Sequence, residues 1–336
     1  MLLEGLHIPL TTPFHRDGSL NVHALAADVR RYSLTPAAGL IVLGPAAEPT
    51  LLNDDEGREV LRAAAESASA EKVLIAGLGR DSVAGVLQIA GFAAEQRYDA
   101  ILVGAPSVLA ASQEMELLTY FRTIADRSPV PVVLLSTFER RIGADAVAEL
   151  SSHANIAGFL ATHGMNVREF LAGTAEVKRE VTVTHVFAAV TGRMQRANNA
   201  RLISPANLGT VAAEAAPALR TRTKSIGFQV IAAHTTTLLD ALNAGAVGIA
   251  PLFAAAAPQA SYEIYAAWKD QDQPLASEKQ QRVVDAARLV EALGPGGLKF
   301  AADLNGYTGG FPRLPHLPPN GEQRARLEEL MKPLHN

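Results

Sequence analysis

Short apolar runs alternate along this chain with longer amphipathic stretches, the pattern of repeated βα units and a parallel sheet. The runs predict strands at Leu6–Thr11, Gly39–Leu43, Val73–Gly77, Ala100–Gly104, Val130–Ser136, Ile156–Ala161, Gly227–Ala232 and Ala246–Leu252. Most are β-branched or leucine-rich, as strands covered on both faces require. Between them, Asp54–Ser69, Ser82–Gln96, Gln113–Asp126 and Ala144–Ser152 have helical patterning. Asn53 followed by Asp54, Asp55 and Glu56 marks a helix start: a capping side chain, then acids in the turn where the helix dipole favours them. Eight such strands suggest a closed (β/α)₈ TIM barrel. A doubly wound open sheet is the alternative, and the pattern alone does not separate the two.

Two segments exceed a minimal barrel. The stretch 182–225 is longer than the roughly 2–6 residues a βα connection needs. It holds the polar run Thr191–Arg201 and then an alanine-rich piece, and reads as a helical insertion before the seventh strand. The expectation is that it covers one end of the barrel or meets a neighbouring subunit. After residue 257 a C-terminal region is expected to pack on the barrel, with helices near Tyr262–Lys269, Ser277–Leu293, Leu298–Asn305 and Glu322–Lys332. The proline-rich stretch Phe311–Pro319 is a turn region between the last two. The organisation is thus a barrel over 1–257 and a helical appendage over 258–336.

Composition narrows the function. Hydrophobic residues make up 48% of the 336, much of that share alanine, and a net charge of −4 has no basic run behind it. Nucleic acid and anionic membranes are therefore not expected partners. No apolar run has membrane-spanning length and the start lacks a signal-peptide pattern. The absence of cysteine excludes disulfides, thiolate nucleophiles and thiolate metal sites. A cytoplasmic enzyme or binding protein is the expectation.

A set of short motifs then carries a resemblance. Thr12, Pro13 and Phe14 with Asp17 and Gly18 open the chain, and Gly39–Glu48 is followed by Glu56, Gly57 and Arg58. Gly77 and Gly79 end the third strand, Val103–Pro106 the fourth, and Pro131–Leu134 with Arg140 mark the fifth. Asn155–Gly158 leads into the sixth, Leu242–Ile249 joins the seventh to the eighth, and Leu298–Ala301 precedes Gly309–Pro315. In this order they resemble the dihydrodipicolinate synthase / N-acetylneuraminate lyase family, whose fold is the TIM barrel. The resemblance decides against the open sheet and implies a homo-oligomer acting on a small carboxylic acid.

The family's catalytic positions are not matched. Its Schiff-base lysine falls on Leu160 and its proton-relay tyrosine on Leu135. Its threonine pair falls on Pro45 and Ala46, with Ala47 where a glycine stands, and the tyrosines after the fourth strand fall on Ser107 and Val108. Of the functional set, Glu48 and Arg140 remain. Imine chemistry needs an amine of lowered pKa at the C-terminal barrel face. Of the seven lysines, Lys72 and Lys224 precede strands, Lys178 ends a helix, and Lys269, Lys279, Lys299 and Lys332 lie in the helical tail. None is predicted at the mouth.

Other polar residues at strand ends are the remaining candidates. His163 and His234 can act as general acid or base, with Glu48 as the third catalytic candidate. Arg140, Ser136, Thr137, Thr162 and Ser107 are candidate substrate-binding groups, and Thr235 and Thr236 follow the seventh strand. No cofactor is expected; a divalent metal on the two histidines and Glu48 is the alternative. Against these stand plainer roles: a hydrogen-bonded histidine, a Glu48 that pairs with an arginine, an Arg140 that bridges subunits, and threonines that cap a helix. His7 is expected packed in the barrel or facing the helices. Gly77 and Gly79 make a tight turn and lack the rest of a dinucleotide fingerprint. The leading expectation is a divergent lyase-family protein acting on or binding a small oxo or hydroxy acid without lysine Schiff-base chemistry. The alternative is an inactive descendant that binds a small molecule or a partner protein.

Overall fold

The structure, a computed structural model, describes residues 1–109, 113–162, 164, 166–186, 188–199 and 219–334. Its centre is a closed parallel barrel. Six strands come first: β1 (Gly5–Pro9), β2 (Gly39–Val42), β3 (Val73–Gly77), β4 (Ala100–Gly104), β5 (Val132–Ser136) and β6 (Ile156–Ala161). An antiparallel hairpin, β7 (Arg179–Thr184) and β8 (Thr221–Ile226), intervenes before β9 (Gln229–Ala232) and β10 (Gly248–Ile249) complete the barrel. The order around the wall is β1, β10, β9, β6, β5, β4, β3, β2.

Alternation along each strand divides the apolar side chains into two cores. Ile41, Ile75, Leu102, Val133, Leu160 and Ile231 fill the lumen together with Leu3. Leu40, Leu74, Ile101, Leu134, Phe159 and Val230 face outward to the helices. The intervening helices are α1 (Val22–Ser33), α2 (Asp54–Ser67), α3 (Val83–Glu95), α4 (Glu114–Arg127), α5 (Ala144–Ser151) and α6 (Val167–Gly173). The predicted start of α2 is present as a reciprocal cap: Glu56 N–H donates to Asn53 Oδ1 and Asn53 N–H to Glu56 Oε2, both at 2.9 Å.

The excursion expected as helical is built differently. Among the described residues it consists of the β7–β8 hairpin and one helix, α7 (Gly192–Asn199); the alanine-rich piece lies outside the described residues. It crosses the N-terminal end of the barrel. Arg179 donates to the carbonyls of Ile156, Ser151 and His153. Arg193 donates to those of Ser69, Lys72 and Arg97, and Lys224 pairs with Glu4. These are the carbonyls where chain enters the strands, so the insertion covers the end opposite the catalytic face of TIM barrels.

The last barrel helix, α8 (Leu238–Asn243), is followed by α9 (Pro258–Lys269), α10 (Gln273–Leu304) and α11 (Gly321–Met331). The two tail helices expected around 294–297 are joined as α10, broken where Gly294 takes φ 64° before Pro295. The tail returns to the barrel through Asn305, whose amide donates to Ala256 O at 2.9 Å. Among the described residues no helix is long and apolar enough to cross a membrane.

Candidate functional site

At the C-terminal end of β2–β5 the chain encloses a cavity of about 570 Å³. Its inner wall is apolar: Leu43, Leu78, Leu102 and Leu135 line it. Leu135 sits in register opposite Leu160 of β6, and both belong to the lumen core. Gly77 shapes the wall at β3, because Leu43 adopts φ 56° and turns its carbonyl inward. A Cβ on Gly77 would lie 2.1 Å from that oxygen.

The charged groups sit at the rim. Arg140 Nη1 lies 3.4 Å from Asp81 Oδ1 and donates to Ala105 O at 3.2 Å. Ser107 donates to Asp81 through its backbone N–H at 2.9 Å and through its hydroxyl. Burial pulls the Asp81 carboxyl upward, but the two Ser107 bonds and the Arg140 charge outweigh it and hold the pKa below the usual carboxylate value. Thr137 completes the corner, its Oγ1 accepting from Arg140 N–H at 3.2 Å. Arg80 lines the same cavity, with Nε and Nη2 both on Asp54 Oδ1 and Nη1 on Gly79 O.

Glu48 lies elsewhere. It follows the turn after β2 at φ 54° and is fully enclosed, with Oε1 2.5 Å from Lys299 Nζ. Its Oε2 accepts from Arg313 N–H at 2.9 Å. Lys299 also donates to Phe311 O at 2.9 Å and sits 4.4 Å from the centre of the Phe14 ring. Burial drives its pKa down to about 8, with Glu48 opposing the shift. Arg313 stacks on the same ring at 4.3 Å and clasps Glu56 at 2.7 and 2.8 Å. The pair Glu48–Lys299 therefore locks the tail onto the β2 loop.

Of the remaining candidates, Ser136 is outward-facing, since Val133 and Leu135 take the lumen side; its Oγ accepts from Ile142 N–H at 3.0 Å. Thr162 donates its N–H to Ser136 O at 3.0 Å. His234 borders a second cavity of about 500 Å³ over β6 and β9, shared with Arg168 and Asp240. Its Nδ1 lies 3.2 Å from Thr236 Oγ1 and 3.3 Å from Thr237 Oγ1, while Thr235 reaches Glu291 at 2.8 Å. His163 lies outside the described residues. The structure thus gathers Arg140, Thr137 and Ser107 at one cavity, puts His234 at another and keeps Glu48 and Ser136 out of both. Among the described residues no three imidazole or carboxylate groups converge as a metal site.

The sequence model of the dihydrodipicolinate synthetase family matches residues 2–188. The chain belongs to that family. It is 24% identical to the 4-hydroxy-tetrahydrodipicolinate synthase of Methanothrix thermoacetophila, over 98% of this chain and 96% of that protein. It is 26% identical to the Acidiphilium cryptum protein of the same name, over 98% of each. Among solved structures, dihydrodipicolinate synthase DapA-2 of Bacillus anthracis superposes with TM-score 0.80 at 20% identity over the full length of both chains. YagE of E. coli K12, a family protein in complex with pyruvate, gives 0.76 at 21% identity over 99% of each chain.

In this dihydrodipicolinate synthetase-family barrel, Leu160 and Leu135, which the sequence resemblance sets at the family's lysine and tyrosine positions, pair in register across β5 and β6. Lys72 donates to Thr35 O and Ala37 O at 2.7 Å each and, like Lys224, belongs to the opposite end. His7 is inside the barrel, with Nε2 3.1 Å from Leu3 O and burial pushing its pKa down to about 4. Sequence reasoning missed Asp81 and the enclosure of Lys299. Asp81 directly follows Arg80 in the loop after Gly77 and Gly79, a strand-end position that carried the signal. Nothing local marked Lys299, because its partner Glu48 is far away in the chain.

Proposed function

We propose that this family member binds a small oxo or hydroxy carboxylic acid at the barrel mouth, and acts on it or holds it, without lysine Schiff-base chemistry. The observation that carries the reading is Arg140. It lines the cavity, and of its side-chain donors only Nη1 is engaged, on Asp81 and Ala105. Nε and Nη2 have no partner among the described residues, which leaves one edge of the guanidinium for a carboxylate. Two parallel N–H groups match a carboxylate in geometry as well as charge.

The lysines support the second half of the proposal. None lines the cavity, and an imine requires the amine and the carbonyl in one pocket. Lys299, with its lowered pKa, is closed off by Glu48 and Phe14. For a reaction, Asp81 is the carboxylate beside Arg140, and proton transfer from a positioned group contributes about 10²–10⁴-fold. Binding without turnover is the second reading, favoured by Asp81 already being committed to Ser107 and Arg140. A homo-oligomeric, cytoplasmic protein is part of the proposal.

The test combines two measurements. The protein is incubated with pyruvate and a panel of 2-oxo acids, reduced with borohydride and weighed intact; no added mass is expected beside a reacting control aldolase. Calorimetry of the same acids with Arg140→Gln should show binding weakened roughly 10–100-fold, the worth of a hydrogen bond to a charged group. A mapped lysine adduct would overturn the second half, and unchanged binding by Arg140→Gln the first.

A further inference from the structure

The cavity at Arg140 is graded in a way that names its ligand more narrowly. Toward the lumen it is walled by Leu43, Leu78, Leu102 and Leu135, three of them no more than 6% exposed. Its charged groups are near the opening, where the side chains of Asp81 and Arg140 are 41% and 43% exposed. Resting on the reading of Arg140 as the carboxylate anchor, we infer that the ligand is a monocarboxylic acid with an apolar body, a branched alkyl or an aryl group, and not a three-carbon oxo acid.

Three observations converge on this class. First, volume: about 570 Å³ lies within the range of roughly 300–1,000 Å³ typical of sites for ligands much larger than pyruvate. A three-carbon acid on Arg140 would leave most of that volume beside the leucine wall unfilled. Second, charge: Arg80, the other arginine of the lining, is fully engaged by Asp54 and Gly79. Glu139 and Asp81 at the same rim repel a second carboxylate, so dicarboxylates are disfavoured. Third, polarity: a polyhydroxylated body would face leucine side chains that offer no hydrogen bond, at the full cost of desolvating its hydroxyls.

The magnitude follows from burial. Each methylene removed from water contributes about a fourfold gain in affinity, so three or four carbons set against the leucine wall give on the order of 60–250-fold over pyruvate. The experiment is a calorimetric series on the full-length chain with pyruvate, 4-methyl-2-oxopentanoate, phenylpyruvate and 2-oxoglutarate, repeated with Arg140→Gln. The expected result is a steep rise from pyruvate to the two apolar acids, 2-oxoglutarate no tighter than pyruvate, and loss of affinity throughout in Arg140→Gln. Flat affinities that still depend on Arg140 would overturn this inference and leave the carboxylate site standing. Binding of the apolar acids that ignores Arg140, or no binding of any acid, would overturn both.

Discussion

The pair Glu48–Lys299 is an ion pair with no exposed side-chain surface on either partner. Removing one member of such a pair leaves an uncompensated buried charge, at about 3–5 kcal/mol. Glu48→Ala should therefore lower the unfolding free energy by about that amount in urea titration. A loss under about 1 kcal/mol would mean that water reaches Lys299. A second buried carboxylate responds to pH. Asp28 accepts from Thr308 N–H at 2.8 Å, and burial pushes its pKa up to about 6, helped by nearby Asp303 and opposed by Thr308 and Arg31. A raised folded-state pKa means that the contribution is full below the unfolded value and is lost as pH climbs through about 6. Asp28→Asn keeps the acceptor and removes the titration. It should stabilise the protein by roughly 1–3 kcal/mol at pH 7.5 and by almost nothing at pH 3, as read from thermal melts at the two pH values.

At the level of elements, the mouth depends on how the β2 turn fits over β3. Leu43 directs its carbonyl at Gly77, so Gly77→Ala must displace backbone at both strands. The expected cost is about 3 kcal/mol, with acid binding lost because Leu43 and Gly44 line the cavity; a variant of equal stability and acid affinity would refute the fit. Gly77 was legible in the sequence as one of a paired glycine at the end of the third strand, and the barrel strands were legible as apolar runs. Their ends were not: Ala246–Leu252 was expected as a strand, and only Gly248–Ile249 pairs as one. Pro251 and the 3₁₀ turn at Leu252–Ala255 end the pairing there. The β7–β8 hairpin was missed although Arg179–Thr184 alternates polar and β-branched residues. Its partner strand lies beyond a long intervening segment, and no local turn signal links the two. The same distance hid Lys299 from Glu48, whereas Arg140 was found because it follows its strand closely.

For the whole molecule, the tail is bound into the barrel by more than surface contact. Lys299 completes Glu48, Arg313 completes Glu56, and Asn305 caps Ala256. A chain ended after Ala257 would leave Glu48 buried without its cation, so it should fail to give a cooperative melt by circular dichroism. Recovery of a folded, monodisperse barrel would show that the two parts are separable. The in-register Leu135 and Leu160 have a different consequence. Their side chains stand at matching heights on neighbouring strands of the lumen. Exchanging Leu160→Lys together with Leu135→Tyr would set an amine and a phenol side by side in a leucine-lined lumen, where desolvation lowers an amine's pKa. Borohydride should then add the mass of reduced pyruvate at residue 160. Such a result would show that two neighbouring wall positions of this barrel can be made to hold a reactive amine beside a phenol.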